Sequence, residues 1–172
     1  MTNKIKELAK KYSAEIMEVR EYIHANPGIE FQEFETVKKI TEIVEKYGIE
    51  YQKNIAVTGV LAIIRGKKEG KTVLLRGDMD ALPIQEEADV PYKSTVSGVM
   101  HACGHDSHAA GLLGAALILN ELKDEISGNI KFAFQPAEEN QGGAKPMIDA
   151  GILENPKVDA AFGLHVWGPY PE

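Results

Sequence analysis

The sequence predicts an α/β fold, a mainly parallel mixed sheet flanked by helices on both faces. Three observations lead there. Apolar residues spaced three or four apart mark helices across the first fifty residues. The period then gives way to short runs of branched apolar residues, the mark of buried strands. From residue 59 onward such runs alternate with helical segments. That order builds parallel strands joined by crossover helices.

The elements follow in order. Ile5, Leu8, Tyr12, Ile16, Val19 and Ile23 give a first helix one apolar face, and "NPG" at 26–28 stops it. Val37, Ile40, Val44 and Tyr47 repeat the pattern, with Gly48 as the stop. "GVLAIIRG" (59–66) and "TVLLRGD" (72–78) read as buried strands, with the charged "KKEGK" between them as a linker. A helix rich in Ala and Gly runs from Ser107 to Leu122, its small side chains suited to lying close against a sheet. "NIKFAFQP" (129–136) is a strand ended by proline. A short helix over 144–150 ends at Gly151, and "VDAAFGLHV" (158–166) is a final strand.

Composition narrows the function classes. A chain of 172 residues, 44% hydrophobic and 26% charged, can bury one real core. A net charge of −7 without a basic stripe argues against a nucleic-acid partner. No apolar run approaches the roughly 18 residues of a membrane span. The N-terminal segment is charged throughout, unlike a signal peptide. The single cysteine cannot form an internal disulfide, so a reducing, cytoplasmic location is expected.

In open α/β sheets, ligands bind beyond the carboxyl ends of the strands. The chemically capable residues fall there. Asp78 and Asp80 end one strand, Glu138 and Glu139 follow another, and His165 ends the last. Cys103 and His105 immediately precede a helix. In an extended segment two residues apart share a side, and Gly104 lets the backbone bend. Thiolate and imidazole together suit zinc and its neighbours. The helix N-terminus should favour the thiolate. The plain alternative is a structural cysteine beside a surface histidine.

His101, two before Cys103, and His108, in the first helical turn, can each support the ligands from behind or simply be polar loop residues, and the second reading is preferred for both. Adjacent carboxylates are common on helix surfaces, but Glu138 and Glu139 follow a buried strand and a proline. In an extended segment their side chains diverge, so one can bind metal while the other serves as a base toward a metal-bound water. A histidine on an apolar strand is usually a core residue, and His165 stands on one. Asp78 and Asp80 can ligate metal, hold a ligand histidine's second nitrogen, or cap a turn; Arg76 can neutralise one of them. Taken together, Cys103, His105, Glu139 and His165 make a four-ligand set that leaves Glu138 free as a base.

Five segments, "IHANPGIEFQEFET", "LLRGDMDALP", "MHACGHDSHAAGLLGAA", "FQPAEENQGGA" and "AFGLHVW", occur in this order. Together they resemble the metal-dependent amidohydrolases of the aminoacylase, hippurate-hydrolase and indole-acetyl-amino-acid hydrolase type. The resemblance covers essentially the whole chain and implies a zinc-exopeptidase-like catalytic domain holding two divalent ions, Zn, Mn, Co or Ni. Cys103 then matches a ligand bridging the ions. His105, Glu139 and His165 match further ligands, Glu138 the general base, and Asp80 the aspartate that orients the site. Asp78 stands where the wider clan has a histidine, and its role stays open.

The implied activity is hydrolysis of the amide bond of N-acyl amino acids or small peptides. Family members are considerably longer. Residues 1–172 are therefore expected to be the N-terminal part of the catalytic domain, without the lid and dimerisation domain and the C-terminal catalytic segment. That leaves the oligomeric state open. It also leaves an alternative, a truncated metal-binding domain without turnover. A cysteine hydrolase with Cys103 as nucleophile is a third reading, for which His105 lies too close along the chain to be an easy partner.

Overall fold

The apolar stripes of the first two helices meet on one face of a five-stranded sheet. The computed structural model describes residues 2–167. Helix α1 spans Thr2–Ala25 and α2 Phe34–Lys46. Strands β1 (Glu50–Ile55), β2 (Gly59–Arg65) and β3 (Lys68–Asp78) follow, then α3 (His105–Glu121). The chain continues through β4 (Ser127–Gln135), α4 (Ala144–Asp149) and β5 (Ala160–Gly163). No described helix is long and apolar enough to cross a membrane.

The strand order is β1-β2-β4-β3-β5. The pairings β1/β2 and β2/β4 are antiparallel, while β3 pairs in parallel with both β4 and β5. The sheet is therefore mixed, and its parallel half carries the candidate residues. Arg76 pairs with Ala133 on one side and Gly163 on the other, and Asp78 pairs with Gln135. The carboxyl ends of β3, β4 and β5 thus share one edge of the sheet.

Alternation along the strands divides the core between the two faces. Val60, Ala62 and Ile64 of β2, with Phe132 and Phe134 of β4, pack beneath α1, α2 and α3. Ile23, Ile40 and Leu113 are fully buried there. Leu74 and Ala133 point to the opposite face, against Met147 of α4 and Ile152. On that face the buried Lys131 ammonium donates to the carbonyls of Ile152 and Glu154 at 2.9 and 2.6 Å. The chain crosses from β3 to β4 over the first face. It then returns past β3 to β5 over the second. A reversal of direction with a change of face keeps one crossover hand. It also makes the end of β3 the point from which the connections diverge, the place where such sheets bind ligands.

Several expectations shift. "KKEGK" is not a linker, because β3 begins at Lys68, which pairs with Ser127 before a register shift at Thr72. "EYQKNI" forms β1, a polar edge strand without the apolar run that marks a buried one. Helix α3 starts at His105, two residues ahead of Ser107. It lies very close to β3: a Cβ on Gly77 would sit 3.0 Å from the His108 carbonyl oxygen. Strand β5 ends at Gly163, so His165 lies just beyond it, and all four β5 residues are exposed.

Candidate metal centre

Gly104 shapes the site first. It caps the N-terminus of α3 at φ 85°, ψ 16°, a left-handed conformation that costs glycine little. The segment is therefore not extended, as the spacing argument assumed. Cys103 and His105 nevertheless converge, through the turn at Gly104. Donor atoms of Cys103, His105 and His165 all lie within 4.8 Å of one another. Cys103 Sγ is 3.4 Å from His165 Nε2. A second set, His105, Glu138 and Glu139, meets the same distance limit. His105, fully buried, belongs to both sets.

Asp80 joins the two halves. Its Oδ1 lies 3.2 Å from His105 Nδ1, and its Oδ2 accepts the Glu139 backbone N–H at 3.0 Å. Burial raises the Asp80 pKa, but His105 and the N–H groups of Glu139 and Glu138 outweigh it and hold the carboxyl below its ordinary value. Burial likewise pulls the His105 pKa down. The carboxylates of Asp80, Asp78 and Glu139 prevail, and the imidazole sits above its ordinary range. With Nδ1–H directed at Asp80, His105 presents Nε2 to the centre.

The centre as it stands favours a cation. His105 Nε2 and Glu139 Oε1 are buried, have no hydrogen-bond partner among the described residues, and lie 3.7 Å apart. A buried imidazole nitrogen and carboxylate oxygen without hydrogen bonds are costly unless a metal cation, or a proton on the imidazole, stands between them. Burial, together with Glu139, Asp78 and Glu138, pushes the Cys103 thiol up to about 12. The thiolate expected from the helix N-terminus is therefore disfavoured without a metal: burial and the nearby carboxylates outweigh the helix dipole. A thiol held protonated is a poor nucleophile. A divalent cation would reverse that balance, since a coordinated thiol is deprotonated outright. Sulfur, imidazole and carboxylate together match the donors of zinc and related metals.

His108 and His101 are both buried, His108 in the first turn of α3 and His101 in the segment before it. His108 Nδ1 is 2.5 Å from Asp78 Oδ1, and His108 Nε2 accepts the Val166 N–H at 2.9 Å. Arg76 Nη1 lies 2.6 Å from Asp78 Oδ2, balancing its charge. Asp78 and His108 thereby anchor the backbone beside His165. His165 Nδ1–H donates to the Val166 carbonyl at 2.6 Å, leaving Nε2 toward Cys103. His101 has neither ring nitrogen bonded, and burial pushes its pKa down to about 4, so it is neutral.

Behind the centre, His24 bridges Asp106 (2.8 Å) and Glu86 (3.1 Å), and Arg20 reaches Asp106 at 2.7 Å. The sequence reading missed this group, although His24 directly follows the buried Val19 and Ile23 of α1. It also missed Glu33, a fully buried carboxylate between Phe31 and Phe34.

Residues 74–172 match the family model of Peptidase family M20/M25/M40. The chain is 49% identical over 174 residues to thermostable carboxypeptidase 2 of Saccharolobus solfataricus, covering 99% of this chain and 44% of that protein. It is 42% identical to an N-acyl-L-amino acid amidohydrolase of Geobacillus stearothermophilus, covering 96% and 44% of the two chains. The crystal structure of a Bacillus subtilis dinuclear metal binding peptidase from the M20 family superimposes with a TM-score of 0.89 at 42% identity. That match covers 94% of this chain and 45% of the other. The chain thus spans under half the length of these relatives.

Proposed function

Because the chain belongs to Peptidase family M20/M25/M40, we propose that it carries the metal-binding half of an amidohydrolase that cleaves the amide bond of N-acyl amino acids or small peptides. The observation that carries this reading is the pair of buried, unpartnered acceptors, His105 Nε2 and Glu139 Oε1, beside the Cys103–His165 contact. The amidohydrolase named among the relatives supports the substrate class. The share of each relative covered supports reading residues 1–172 as the N-terminal part of a catalytic domain. A cytoplasmic location belongs to the same reading and rests on the single cysteine.

Cys103, His105, Glu139 and His165 would hold the metal. When bound, a divalent ion polarises the amide carbonyl and acidifies a water. The exposed Glu138 carboxylate accepts the proton of the attacking water and passes it to the departing amine nitrogen. Asp80 keeps the imidazole of His105 and the backbone of Glu139 in register with that base. The products are a carboxylic acid and a free amino acid.

The test is metal content by elemental analysis, with hydrolysis of N-acetyl amino acids and hippurate measured on the same sample before and after chelation. Bound metal and chelator-sensitive turnover are expected. Glu138→Ala should keep the metal and lose turnover by roughly 100- to 10,000-fold, the usual span for a general base. A chain that takes up no metal after reconstitution overturns the ligand set. Metal without turnover assigns binding, but not catalysis, to these residues.

A further inference from the structure

Glu33 has no place in the chemistry above, yet it is fully buried at the N-terminus of α2. Its carboxylate accepts the Phe31 and Ala137 N–H groups, each at 3.1 Å, and the Thr58 hydroxyl. An ionised carboxylate is acceptor-only, so it can satisfy three converging donors without exposing a donor of its own. Burial raises its pKa, against the pull of those three donors.

One of those donors matters to the site. Ala137 is fully buried and immediately precedes Glu138 and Glu139. Its φ is +49°, a region that side chains other than glycine's rarely adopt. Such a conformation persists only where its surroundings enforce it. The carboxylate of Glu33 on the N–H and the Gly143 N–H on the carbonyl, at 3.0 Å, fasten this turn from both sides. The same loop reaches the other acidic segments as well. The Gly28 carbonyl accepts the Ala81 N–H at 2.8 Å, next to Asp80, and Asn140 donates to Glu30 at 3.1 Å.

We propose that Glu33 is a positioning residue: through the Ala137 N–H it fixes the turn from which Glu138 and Glu139 diverge, and so places Glu139 Oε1 opposite His105. This rests on the metal-site reading above. It requires Glu33 to act on the site through Glu139 and not through overall stability.

The experiment measures metal affinity by titration of the metal-free protein with Zn²⁺ and Mn²⁺, alongside thermal unfolding. Glu33→Ala removes the acceptor of the Phe31 and Ala137 N–H groups. It should weaken metal binding by roughly 10- to 100-fold, as loss of a supporting partner usually does. Thr58→Val removes the donor on the far side of the carboxylate and should lower stability while leaving metal affinity within about twofold. In a Glu139→Ala background, Glu33→Ala should add no further loss, because coupled residues are non-additive. Where Glu33→Ala does not fold, Glu33→Asp, which withdraws the carboxylate by one methylene, is read the same way. Equal effects of the Glu33 and Thr58 variants on affinity, or additivity with Glu139→Ala, overturn the proposal alone. A wild-type protein that binds neither metal overturns the site reading, and the proposal with it.

Discussion

Glu86 shows how much a single side chain can hold in place. It is buried on the long segment between β3 and α3, accepting the Ser94 N–H at 2.6 Å and facing His24 Nε2 at 3.1 Å. Burial opposes its ionisation, but Ser94 and His24 prevail and its pKa lies below the ordinary 4.5. A carboxylate depressed on folding stabilises fully above its unfolded pKa, and that contribution is lost as the pH falls through the folded one. Thermal midpoints should therefore fall as the solution is acidified below about pH 4.5. Glu86→Gln should flatten part of that slope; identical slopes in both proteins would refute the assignment. Residues like Glu86, Glu33 and His108 were not legible in the sequence. Their burial depends on partners 8 to 104 positions away. Cys103, His105, Glu138 and Glu139 were legible because each pair is local, and their residue types alone point to a metal.

At the scale of elements, the start of α3 carries the most. Gly104 places Cys103 and His105 on either side of a left-handed residue. A Cβ there would sit 2.4 Å from Val166 Cγ2. Gly104→Ala should cost about 1–2 kcal/mol from backbone conformation alone, with the Val166 clash in addition. Urea unfolding would measure the loss, and elemental analysis should show reduced metal in the same variant. Unchanged stability would mean that the turn tolerates a side chain and that the convergence has another cause. The helices and central strands could be read from the sequence because each buries an apolar face with a definite period. Strand β1 could not: exposed at a sheet edge, "EYQKNI" has no face to declare. The left-handed turn at Gly104 was invisible for a related reason, since a glycine states that a conformation is possible and not which one is used.

At the scale of the whole molecule, the site draws on four separate stretches, from Asp78 to His165, that meet only when β3, β4 and β5 lie side by side. The rule that ligands collect at the carboxyl ends of strands pointed to residues that the fold does bring together at one edge of the sheet. Which strands run antiparallel was not foreseen, because strand order is set by contacts between distant segments and leaves no mark on any one of them. Strand β5 is exposed along its length and, among the described residues, is laddered only to β3. Yet the residue just past it, His165, faces Cys103 across the centre. An ion shared by those two residues would work as a latch. Opening of residues 160–166 would then have to break the ion's contacts as well as the β3 ladder and the Val166–His108 hydrogen bond. At a hundred times the dissociation constant the latch is worth about 2.7 kcal/mol. Amide hydrogen exchange in β5 should then slow by about a hundredfold on saturation and recover with chelator, whereas exchange indifferent to metal would leave His165 outside the ligand set. In that case the ion would serve first as mechanical closure, and the concentration of metal around the protein would decide whether its sheet has four secure strands or five.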